Sequence, residues 1–173
     1  IAELATLTSN LATVRGNLGQ VPEALDLAHR SWALQTRLGA TDGPEGAVVQ
    51  TYMGLYCGMV GRYGEALQRL DAALASFVRD RQPVWIAVAS NHKAQLLIDL
   101  GQFARARQTL DYERPPIGHI RARGATIAAR IERALGHAGQ AQMNAAMIEL
   151  DPGADPHVRM HVLLDAAPAD DPA

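Results

Sequence analysis

Apolar residues recur at helical spacing along most of the chain. Leu4, Leu7, Leu11, Val14 and Leu18 follow i, i+3, i+7, i+10 and i+14, and Ile117, Ile120, Ile127, Ile131 and Leu135 repeat that kind of spacing later. Such a pattern predicts amphipathic helices whose apolar stripe turns toward a core. No stretch alternates Val, Ile and Thr with polar residues at period two, so no strand is expected. Pro22, Pro44, Pro83 and Pro156 stand where first-turn prolines begin helices. Asp155 offers an N-cap for the last of these, and Pro115-Pro116 must break a helix. The expected helices cover about 2–18, 21–38, 44–60, 63–79, 83–100, 103–113, 117–135 and 138–150, with a short capping helix at about 156–166 and a flexible tail over 168–173. The array as a whole would fill residues 1–167 as one domain.

A motif repeats along this pattern. Leu18-Gly19-Gln20-Val21-Pro22-Glu23-Ala24, Val60-Gly61-Arg62-Tyr63-Gly64-Glu65-Ala66, Leu100-Gly101-Gln102-Phe103-Ala104-Arg105-Ala106 and Leu135-Gly136-His137-Ala138-Gly139-Gln140-Ala141 share one form. The glycines are 42, 40 and 35 residues apart. A fixed motif at such a period signals a solenoid. The Gly ends one helix in a left-handed conformation that a Cβ would penalise. The residue two later (Val21, Tyr63, Phe103, Ala138) is placed to plug the hairpin. The Ala five after the Gly (Ala24, Ala66, Ala106, Ala141) is small because two helices approach closely there. Ala28, Leu70, Leu110 and Ala145 follow four residues further on.

Over roughly Ala5 to Pro152 the chain resembles the tetratricopeptide repeat family. Met53-Gly54, Tyr63 and the ending Ile148-Glu149-Leu150-Asp151-Pro152 match that family's pattern. The family's first-turn aromatic is absent, its place held by Thr8, Gln50, Ser90 and Ala125, and Ala12, Ala94 and Ala129 replace its first-helix Gly. The resemblance implies an all-α, right-handed solenoid of four antiparallel helix pairs plus the capping helix. It also implies that the first helix of each pair lines a concave groove for a peptide or protein. Carried over residue by residue, the groove register falls on Thr6, Ser9, Thr13 and Asn17, then Val48, Thr51, Leu55 and Met59, then Val88, Asn91, Gln95 and Asp99, and finally Arg123, Thr126, Arg130 and Arg133. The groove would run from polar through apolar to basic, its basic end suited to an acidic partner. The long spacing resembles the extended repeats of large bacterial regulators, which join such arrays to an ATPase or signalling core and an output domain. Two other readings remain at this stage. One is a small-molecule sensor using Tyr52, Tyr56, Met59 and Gln95; the other is an oligomerisation module docking through an end helix.

Composition trims the alternatives. With 173 residues, one Cys and a formal net charge of −2, the chain supports neither a disulfide framework nor a cysteine zinc site, and it lacks the basic excess of a nucleic-acid binder. Lys93 is the single Lys among 16 basic residues, which with the abundant Ala is the composition of a high-GC bacterial genome. No signal peptide or membrane span is evident, so a cytoplasmic setting is expected. Ile1 falls inside a helical pattern, as in a piece of a longer protein. The helix from Ile117 to Leu135 carries Arg121, Arg123, Arg130 and Arg133 against Glu132, whereas Glu149, Asp151, Asp155, Asp165, Asp170 and Asp171 make the last segment acidic. His157 and His161 have a metal-capable spacing but no third ligand nearby in sequence, so no metal or other cofactor is expected. Cys57 reads as a buried small hydrophobe, and Tyr52 and Tyr56 as packing or ligand-facing. No nucleophile elbow, phosphate loop or dinucleotide fingerprint occurs, and no enzyme is expected.

Overall fold

A computed structural model describes residues 1–113, 117–137 and 139. Every regular element among them is an α-helix: α1 (Ala2–Asn17), α2 (Val21–Arg37), α3 (Pro44–Met59), α4 (Tyr63–Arg79), α5 (Pro83–Asp99), α6 (Phe103–Thr109) and α7 (Gly118–Ala134). The helices expected at 138–150 and 156–166, the tail, and Ala141, Ala145, His157 and His161 lie outside the described residues.

One turn, used six times, makes the array. After α1, the Leu18 amide bonds to the Val14 carbonyl and Gly19, at φ +76°, lets the Gln20 amide reach back to the Arg15 carbonyl at 2.9 Å. The same closure links Ala40 to Gln35, Arg62 to Cys57, Gln82 to Phe77, Gln102 to Leu97 and His137 to Glu132. These bonds satisfy carbonyls that a helix end would leave orphaned. Five of the six turns place Gly in the left-handed position; the sixth uses Arg81, at φ 51°, where the preceding junction has Gly39.

Consecutive helices pack as antiparallel pairs, α1 on α2, α3 on α4 and α5 on α6, and each pair stacks on the next. The motif alanines Ala24, Ala66 and Ala106 are fully buried. A Cβ on Gly54 would stand 3.1 Å from the Ala66 carbonyl and 2.7 Å from Leu70, so α3 and α4 approach at distances only small residues permit. The main core cluster joins Ala12, Leu25, Ala28, Val49, Met53, Tyr56, Cys57 and Leu70, with Phe77 and Ala89 forming a second cluster near the other end of α4. The sparse aromatics are therefore concentrated in the middle of the stack.

Three sequence expectations are corrected. Tyr63 is 45% exposed and does not plug its hairpin, whereas Val21 and Phe103 pack against the core. Helix α6 stops at Thr109 rather than near 113. Leu110 and Asp111 close it with i→i+3 bonds, and the chain then turns so that the Tyr112 hydroxyl donates to Asn91 Oδ1 at 2.8 Å. That tertiary bond replaces the next helical turn. Finally, the α1 stripe Leu4, Leu7, Leu11, Val14 and Leu18 faces away from the core. Ala5 and Ala12 are the residues α1 buries.

Candidate functional site

The stack is asymmetric in a way that makes a groove. The backbones of α1 and α3, α3 and α5, and α5 and α7 approach one another, whereas those of α2, α4 and α6 stay apart, α4 reaching α2 only through the Arg69 guanidinium over the Trp32 ring at 5.8 Å. The first helices are thus crowded together on the inner side of the curve. Their exposed edges form one continuous surface.

Along α3 that surface is Val48, Tyr52, Leu55 and Met59, with Met59 58% exposed. On α5 the half-buried Val88, His92 and Gln95 lead to exposed Asp99. On α1 it is Thr6, Asn10, Thr13 and Asn17. Helix α7 adds exposed Arg123 and Arg133 and half-buried Arg130. Ser9 is half-buried, and its carbonyl accepts the Thr13 hydroxyl at 3.2 Å.

Thr51, Asn91 and Thr126 depart from the expected register. All three are buried and cannot meet a partner. The Thr51 hydroxyl donates to the Ala47 carbonyl and the Thr126 hydroxyl to the Ala122 carbonyl, each at 2.9 Å. Asn91 donates through Nδ2 to the Ile120 carbonyl at 3.3 Å while accepting from Tyr112, so it ties α5 to α7. Positions three and four apart share a helix face, so sequence spacing alone does not decide between 51 and 52. Tyr52 and His92, both half-buried, are the members that reach the surface. They are 40 residues apart, the interval from Gly61 to Gly101, which is the signal that finds them.

The middle of the face is aromatic and aliphatic. Tyr52 stacks on Tyr56 with centroids 6.2 Å apart and meets Trp85 edge-on at 6.5 Å, and Trp85 stacks on Phe77 at 5.7 Å. Trp85 escaped the sequence reading. Tyr56 itself is buried, its hydroxyl donating to the Ala12 carbonyl at 3.2 Å. Burial, aided by the neighbouring Tyr52 oxygen, pushes the Tyr56 phenol up to about 12. The sensor pocket of Tyr52, Tyr56, Met59 and Gln95 is therefore not assembled, because Tyr56 is spent on joining α3 to α1.

Toward α7 the face becomes polar. Arg130 Nη1 donates to Gln95 Oε1 at 2.6 Å, and Gln95 Nε2 donates to Asp99 Oδ1 at 2.8 Å. The relay orients a guanidinium beside a carboxylate without pairing them directly. His92 lies between the apolar and polar parts. Desolvation of its ring, helped by the Arg123 charge, depresses its pKa to about 3, and its Nδ1 is buried with no hydrogen-bond partner. The imidazole is neutral at physiological pH. Burial pushes the Cys57 thiol up, away from the thiolate that reactivity needs. Among the described residues no three His, Cys, Asp or Glu side chains cluster as metal ligands, and no helix is long and apolar enough to cross a membrane.

Residues 3–77 match the tetratricopeptide repeat family model. The match supports a tetratricopeptide assignment for α1 to α4, the first two helix pairs. Comparisons with curated proteins and with solved structures found no match. The tetratricopeptide-type pairing continues beyond that segment, since α5 with α6 reproduces the Gly turn and the buried motif Ala of the first two pairs. Repeats of this family generally mediate protein–protein interaction and are typically scaffolds rather than enzymes.

Proposed function

We propose that this tetratricopeptide-type array binds a peptide segment of a partner protein along the inner face of its first helices. The observation that carries the reading is the apolar run of half-buried Val48, Tyr52 and Leu55 leading to exposed Met59 in the middle of that face, flanked by polar α1 and by the Arg130–Gln95–Asp99 relay. An apolar anchor of the peptide sits over Leu55 and Met59. A carboxylate further along the peptide reaches Arg123 and Arg130, whose guanidinium forks suit it. Concave solenoid surfaces serve this role widely. On this reading the array is the partner-sensing part of a larger cytoplasmic bacterial regulator, a setting that the composition and the extended repeat spacing favour.

The test is selection of binding peptides from a random display library, followed by affinity measurement against two variants. Arg123→Glu with Arg130→Glu is expected to weaken acidic binders at least tenfold, and Leu55→Glu with Met59→Glu to weaken all of them, with helical content unchanged. Selected peptides that bind both variants as well as the parent would overturn the proposal.

A further inference from the structure

The apolar stripe of α1 is the largest exposed hydrophobic feature among the described residues. Leu7 is 65% and Leu18 67% exposed, with Ile1, Leu4, Leu11 and Val14 exposed beside them. Together they present on the order of 600 Å² of apolar surface, the upper end of what monomers show. A helix that terminates a solenoid needs a polar outer face. Helix α1 has the opposite.

The chain itself shows what covers such a face. Gly19 and Gly61 occupy the same turn, 42 residues apart. Shifted by 42, Leu7, Leu11 and Val14 fall on Val49, Met53 and Tyr56 of α3. Those three are 1%, 0% and 2% exposed, packed in one cluster with Leu25, Ala28 and the partly buried Trp32 of α2. So the face that α1 exposes is the face that α3 buries against the second helix of the preceding pair. Along its flanks Thr8, Asn10 and Asn17 are uncharged, and the two charged neighbours are opposite in sign, Glu3 near one end and Arg15, paired with Glu23 at 3.7 Å, near the other.

We infer that the Leu4–Leu18 stripe of α1 docks an amphipathic helix of the α2 kind, the second helix of a further tetratricopeptide-type pair. The inference rests on the internal repeat and is independent of the peptide-binding reading. The occupying helix carries small and aliphatic residues at the positions of Ala24, Leu25 and Ala28, and leaves its charged face to solvent. Docked so, α1 becomes an interior helix and the inner face described above continues onto the added pair.

The test uses a thiol at the stripe. Leu11→Cys is made in the full chain and in a tandem chain carrying a second copy of residues 1–42 ahead of Ile1, which restores the 42-residue interval. Alkylation is followed over a series of protein concentrations. Docking predicts rapid labelling of the 173-residue chain at every concentration and labelling at least tenfold slower in the tandem chain, with the same helical content. Equal rates in the two chains would overturn the proposal. Labelling of the 173-residue chain that slows as its own concentration rises would overturn it in favour of a second copy as occupant.

Discussion

The Tyr56 hydroxyl donates to the Ala12 carbonyl at 3.2 Å, bridging two first helices across 44 residues of chain. Its ring fills the space that Gly16 leaves open. A Cβ on Gly16 would come 2.5 Å from the hydroxyl oxygen and 2.6 Å from Cε1. The ring is buried and has no free direction in which to move. Gly16→Ala is therefore expected to destabilise by about 1–3 kcal/mol through overpacking, although Ala is the better helix former. Tyr56→Phe should cost about 1 kcal/mol for the lost hydrogen bond and relieve part of the crowding. Urea unfolding of the two single variants and the double variant should show a double loss smaller than the sum of the singles.

Arg81 stands in a left-handed conformation where the equivalent turn has Gly39. A side chain costs about 1–2 kcal/mol there, and glycine's greater unfolded-state freedom offsets about 0.5–1 kcal/mol of that. Arg81→Gly should stabilise the chain by about 0.5 kcal/mol. The opposite change at the matching turn, Gly39→Ala, should destabilise by about 1 kcal/mol. Thermal unfolding of both variants checks the pair of signs.

Asn91 separates architecture from recognition. It holds the Ile120 carbonyl and the Tyr112 hydroxyl at once. Asn91→Ala leaves that hydroxyl without its partner and should lower stability by about 2 kcal/mol. Because Asn91 is buried, peptide affinity of the folded fraction should stay within about twofold of the parent. Calorimetric titration below the unfolding transition measures this.

His92 makes the chain acid-sensitive. Unfolded, its imidazole takes a proton below about 6.5; folded, it resists until about 3. The unfolded state therefore binds the extra proton across that window. The stabilisation is fully present above pH 6.5 and is lost as pH falls toward 3, at up to about 1.4 kcal/mol per pH unit. Denaturant titrations at stepped pH should show the His92→Leu variant losing less stability per unit over that range than the parent.

The helical fold was legible because the same signals recur. The Gly at each first-to-second helix turn, the small residue five later and the first-turn prolines all name one local structure, and the turns at Gly19, Gly61 and Gly101 have it. What was not legible depended on tertiary context. The stripe from Leu4 to Leu18 has core periodicity, yet the chain supplies no described helix to cover it. Thr51, Asn91 and Thr126 share helix faces with groove positions, and their burial is decided by how closely the first helices approach. Past the end of α6, Tyr112 bonds to a residue 21 positions away, which no local pattern contains.

Met59 and Met53 give the most direct reading of the inner face. They lie on one helix, Met59 58% exposed on the groove side and Met53 fully buried in the core. Labelled at their methyl carbons, both can be followed by NMR as a selected peptide is added. Binding along the inner face shifts the Met59 methyl resonance in proportion to occupancy and leaves that of Met53 nearly fixed. A peptide that saturates the protein without moving Met59 would contradict peptide recognition by the first helices.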